Sequence, residues 1–165
     1  MAIATQATVT GSGTSVASIS ASSWTPSAND LVLVWVACRS GVTVSSMSGN
    51  GITFAKVVED LQSPQNQCTL SLWRGMSASP STGQITATLS GTANAAIMVA
   101  HRISGADTSG SNGSGAIGAS AIANTGATDT DSPSVGITTT AANSRVYGGA
   151  THRSRTYSVG TGETS

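Results

Sequence analysis

The spacing of the apolar residues limits this chain more than any other feature. They alternate with polar residues or come in short dense runs, and no window of a dozen residues places them three and four apart, as a helix would require. In Gln67–Arg74, an extended backbone puts Cys68, Leu70 and Leu72 on one side and Thr69, Ser71 and Trp73 on the other. That pattern predicts a half-buried antiparallel strand. The run Leu31–Ala37 is apolar on both sides, which predicts a central strand covered on each face.

The same reading along the chain predicts strands over about 5–10, 14–22, 30–39, 42–48, 53–60, 67–76, 83–90, 94–104, 116–123, 133–139, 143–152 and 155–159. Turn chemistry separates them. Ser48-Gly49-Asn50-Gly51, Ser81-Thr82-Gly83 and Ser90-Gly91 suit hairpin connections. Many short strands at such spacing predict an all-β fold, an antiparallel β-sandwich of jelly-roll type with no substantial helix. Residues 1–165 read as a single domain, with a flexible Gly/Ser-rich loop at about 105–118. Residues 25–40 are echoed by 139–154, each with Ala-Asn before an extended stretch and Arg-Ser after it.

Charge enters the argument because it is nearly missing. Charged residues make up 8% of the chain, against roughly 25% in an ordinary domain, and the formal net charge is zero. Lys56 is the one lysine, while 28 serines and 23 threonines supply the polarity. A surface of this kind offers little electrostatic opposition to self-association. It also lacks the clustered positive charge that nucleic acid demands. No stretch approaches the roughly 20 apolar residues of a membrane-spanning helix, so no membrane insertion is expected. The first residues carry neither a basic region nor a continuous apolar segment, so no signal peptide is expected in this chain, and a virion or extracellular location suits it.

Residues that could carry chemistry are few. Asp129 and Asp131, with Asp107, could collect a calcium ion, but calcium takes six to eight oxygens and a solvated loop is the favoured reading. His101 and His152 show no metal-ligand spacing to Cys38 or Cys68. The two cysteines suit buried free thiols better than a disulfide between neighbouring strands, although both remain open. Nucleophile-elbow and phosphate-loop patterns are absent, and glutamates are limited to Glu59 and Glu163. No enzyme, catalytic residue, metal or cofactor is expected. Trp35 belongs to the predicted core, whereas Trp24 and Trp73 are the candidates for glycan or partner contact if their indoles are exposed. The arginines after His101 and His152 are expected to pair with the few acids or with a neighbouring subunit.

Several phrases carry a resemblance: Trp24-Thr25-Pro26-Ser27-Ala28-Asn29-Asp30-Leu31-Val32-Leu33-Val34, Val42–Ser46, Thr53–Val57, Leu72-Trp73-Arg74 and Gly83–Gly91. Over residues 14–155 the chain resembles a β-sandwich module of phage virion proteins, of decoration or fibre type, and of bacterial surface proteins. That resemblance implies packing or adhesion and no shared catalytic residues. The expected function is therefore structural and multi-copy, with other copies or other virion proteins as partners. Two alternatives stand beside it: a carbohydrate-binding or adhesin domain using Trp24 or Trp73, and an extracellular filament subunit that donates a strand such as the 1–20 arm.

Overall fold

The computed structural model describes residues 2–62, 67–126 and 134–152. Its elements are β1 (Ala4–Ser20), β2 (Leu31–Arg39), β3 (Val44–Gly49), β4 (Phe54–Leu61), β5 (Cys68–Gly75), β6 (Ile85–Ser104) and one 3-10 turn, Ser114–Ala116. The fold is all-β, as the period-two pattern predicts. Every strand pairing is antiparallel within one sheet ordered β1-β6-β2-β5-β4. β3 joins this sheet by pairing Val44–Gly49 with the first residues of β6, Ile85–Leu89.

Two expected breaks turn out to be bends inside long strands. Residues 5–10 and 14–22 merge into β1, and 83–90 and 94–104 merge into β6, so Ser90-Gly91 is not a hairpin turn. The sheet doubles over at these bends. Thr10 and Ser22 would lie more than 30 Å apart along a straight strand, yet the Ser22 amide donates to the Thr10 carbonyl at 3.0 Å. Gly11 lies directly against the Ser20 carbonyl, where a Cβ has no room. The bend passes through Ser15, whose φ of 53° is left-handed. On β6, Ile85, Ala87, Leu89 and Ala93 face inward, then Ala96, Met98 and Ala100 do. The inward parity switches between Ala93 and Ala96, opposite Gly13–Val16 and the left-handed Ser15, while the register shift between Val16 and Ser18 lies opposite Thr88–Ala93.

The doubled sheet encloses one main core. Val32, Val34, Val36 and Cys38 of β2 meet Val44 and Met47 of β3, Ile85, Ala87 and Leu89 of β6, and Trp73 of β5. The opposite face of β2 carries Leu31, Leu33 and Trp35 into a second cluster with Leu72 and Ile103. Coverage on both faces is what the run 31–37 predicts. For β5 the expectation needs correction: Thr69, Ser71 and Trp73 are buried as deeply as Cys68 and Leu72, so the strand is covered on both sides. For Ser71 and Trp73 hydrogen bonding makes this tolerable, since the Trp73 indole N–H donates to Ser71 Oγ at 3.3 Å and Ser71 Oγ donates to the Val36 carbonyl; Thr69 Oγ1 is buried without a hydrogen-bond partner among the described residues.

The turn after β3 also differs from expectation. Asn50 and Gly51 both have positive φ, 53° and 63°, and the Ile52 amide donates to the Gly49 carbonyl, as in a type I′ turn. It does not close a hairpin, because β3 pairs with β6 and β4 with β5. Segments 116–123, 134–139 and 143–152 form no strand among the described residues, and the 155–159 expectation falls outside them. The 105–118 loop is anchored: Arg74 donates to the Ser111 and Asn112 carbonyls at 3.2 and 2.9 Å, and Gly113 packs against Leu31 and Met76.

Candidate assembly surfaces

Three strands pair on one side only, β1, β3 and β4; β1 and β3 carry no charge, and β4 does. β4 carries Lys56, Glu59 and Asp60, the kind of residue that discourages a foreign strand from pairing. β1, seventeen residues long, contains no charged residue and no proline. Along its outer edge the chain covers Thr10 through the Ser22 amide. Arg145 reaches the Ile3 carbonyl at 3.5 Å, just before the strand. β1 bears a bulge at Gln6 and β4 one at Val57.

A second surface is a lattice of hydroxyls on the outer face of β1, β6 and β3. Ser20, Thr86 and Ser48 form one rung across three strands, and Ser18, Thr88 and Ser46 form the next. Period-two alternation puts all six on the side away from Ile85 and Ala87. Ser20 and Thr86 bond to each other at 2.8 Å. The face is polar but uncharged, so covering it desolvates no ion.

The third surface is the outer apolar face of β2 and β5. Leu31, Leu33, Trp35 and Leu72 form its floor, and residues from 116 to 121 and from 137 to 147 lie over it. They leave a cavity of about 180 Å³ between roof and floor. Tyr147 is fixed at the border by a 3.0 Å hydrogen bond between its hydroxyl and Thr5 Oγ1, and Arg145 stands 5.5 Å from the Tyr147 ring centre. Gly149 lies flat on the Trp35 indole, where a Cβ would collide with the ring. His101 sits nearby, with Thr8 Oγ1 3.0 Å from its Nδ1 and Tyr147 6.3 Å away ring to ring. Burial holds the His101 pKa below its ordinary value.

The residues singled out by sequence are scattered. Trp73 is 7% exposed and part of the main core, so it presents no indole to a glycan or partner. Trp24 is half-buried against the same core and bridges to Gly83. Trp35, expected in the core, is half-buried on the second face. Cys38 and Cys68 are free and buried. Cys38 pairs in register with Thr69, and Cys68 with Arg39, so adjacent register positions send the two thiols to opposite faces of the sheet. Burial, with Glu59 adding to it, pushes the Cys38 thiol up to about 11. Asp107 is exposed, and a hydrogen bond from the Ser109 amide lowers its pKa. Asp129 and Asp131 lie outside the described residues, among which no group of three metal-ligating side chains gathers. Arg102 meets Asp30 at 3.3 Å, in line with the expected pairing of arginines with the few acids, while Arg153 lies outside the described residues.

One residue the sequence reading passed over holds three connections together. Asn50, 3% exposed, donates through Nδ2 to the carbonyls of Trp24, Ser81 and Gly83 at 2.9, 2.9 and 3.2 Å. The Asn50-Gly51 pair was visible as turn chemistry, but a turn signal does not reveal where the side chain points. No family model, curated protein or solved structure matches this chain.

Proposed function

We propose that this protein is a non-enzymatic structural component of a multi-copy assembly, a virion protein of the capsid-decoration or fibre type. The observation that carries the reading is the uncharged edge strand β1, set against the charged edge β4. Edge strands invite pairing with another chain, and proteins that must stay apart place charges on them. Here β4 has that guard, and β1 and the short β3 do not. The hydroxyl lattice beside β1 adds a surface that packs without ion desolvation. The sequence resemblance to phage virion modules points the same way.

The filament alternative loses its donor, because residues 4–20 already pair with β6 of their own chain. The glycan alternative draws nothing from Trp73, which is buried.

Size-exclusion chromatography with light scattering on the free protein, together with analysis of purified particles, tests the reading. Multi-copy species and incorporation into particles are expected. A Thr14→Lys variant, which places a charge on β1, should weaken association while leaving the fold intact. A protein that stays monomeric at every concentration and never enters particles would overturn the proposal.

A further inference from the structure

Four of the five large apolar side chains exposed on the described surface, Ile122, Val135, Ile137 and Val146, belong to the segment after the 3-10 turn. Val135 and Ile137 are two residues apart, the spacing of one strand face, yet neither lies in a strand. Among the described residues, none of 118–149 lies in a strand or pairs its backbone with one. The segment rests on the outer face of β2 and β5 through side-chain contacts, such as Tyr147 on Thr5, and leaves a cavity of about 180 Å³ beneath it. Residues 134–149 are thus a strand-patterned, apolar segment seated on a complementary face without the backbone pairing that would lock it there.

We propose that residues 134–149 seat on the outer β2–β5 face of a second copy, so that each copy's segment roofs its neighbour's Leu31, Leu33, Trp35 and Leu72. This rests on the multi-copy reading above and names the contact that holds the copies together. The occupant follows from chain identity. A face that accepts Tyr147 and Gly149 of its own chain presents the same complementarity to those residues from any other copy. No charge opposes the transfer: between 134 and 149 the only charged residue is Arg145, and the floor residues carry none. The connection before the segment is long and open. Residues 119–125 are all exposed, and the stretch 118–126 can extend about 30 Å. Crossing lets Val135, Ile137 and Val146 pack at the junction of two bodies, where a single copy leaves them in water.

The test uses the full chain and one pair of positions that meet across this contact. Thr5→Cys is introduced in one preparation and Tyr147→Cys in another that carries a size-distinguishing tag. The two are mixed under unfolding conditions, refolded into the assembled state, and treated with a short bismaleimide. Crossing predicts covalent heterodimers between the two preparations, at least fivefold above those in a Thr5→Cys-only control. Gly118→Cys with Thr140→Cys serves as a second pair, since Gly118 lies beside Thr140 Oγ1 and both positions are exposed. If assemblies form but neither pair gives heterodimers above its control, while the same two cysteines placed together in one molecule link within it, crossing is overturned and the multi-copy reading survives. If no assembly forms at all, both fall together.

Discussion

Lys56 holds its ammonium 5.2 Å from the centre of the Trp73 ring while donating to Glu59 Oε1 at 2.6 Å. Glu59 in turn accepts the Val44 amide at its other oxygen, so one ion pair ties β4 to β3, strands that do not pair directly. The two members of the cation–π contact differ greatly in weight. Trp73→Ala empties a ring-sized volume in the main core and should cost about 3–5 kcal/mol in denaturant melts. Lys56→Met loses only a partly exposed contact and should cost about 1 kcal/mol or less. A larger loss for Lys56→Met than for Trp73→Ala would show that the core has been misassigned.

Asn50 should be the most sensitive polar position. Asn50→Ala removes the donor shared by the Trp24, Ser81 and Gly83 carbonyls, and replaces a residue at φ 53° with one that resists that conformation. A loss of about 3 kcal/mol is expected by urea titration. Asn50→Gly restores the backbone freedom and should recover part of it, leaving the hydrogen-bond loss visible by difference.

The thiols should be silent in the folded protein. Cys38 and Cys68 point to opposite faces and are both buried, and Cys38 titrates near 11. Mass spectrometry after iodoacetamide at pH 8 should find neither modified under native conditions and both modified in guanidinium. A Cys38–Cys68 disulfide in freshly purified protein would contradict the register of β2 and β5.

Acid should weaken the fold through His101. Burial lowers its pKa in the folded state from 6.5, so the unfolded chain binds the proton more readily. Stability is then fully present above 6.5 and declines as pH falls from there toward the folded value. His101→Gln keeps a partner for Thr8 and removes the titration, so the slope of melting temperature between pH 7.5 and pH 5 should flatten. An unchanged slope would assign the acid sensitivity elsewhere.

Much of this architecture is legible in the alternation of residues. β2 shows its double burial in the run Leu31–Ala37, and the six observed strands cover the first eight expected ones, two pairs of which merge into β1 and β6. Other features depend on partners that sequence does not display. Gly11 and Ser90-Gly91 read as punctuation because flexible residues suit turns and bends equally; only the contact between Gly11 and Ser20 shows that β1 bends without ending. Thr69 and Ser71 read as a solvent face because hydroxyls are polar, yet β5 sits between β2 and β4 and both its faces are covered. The surfaces were hardest to foresee. The two tryptophans drew notice by side-chain type, whereas the contrast between β1 and β4 emerges only once topology shows which strands are edges.

The pairing of Ala4 with Ser104 also sets a timetable. β1 finds no partner within the chain until β6 has been made, so its hydrogen-bonding groups wait through about a hundred residues of synthesis. Closing so long a loop before any reward arrives is the mark of slow, non-local folding. During that interval the uncharged strand is as available to a neighbouring nascent chain as to its own. Yield in a fast-expressing host should therefore depend on how crowded the newly made chains are, and slower production should rescue it.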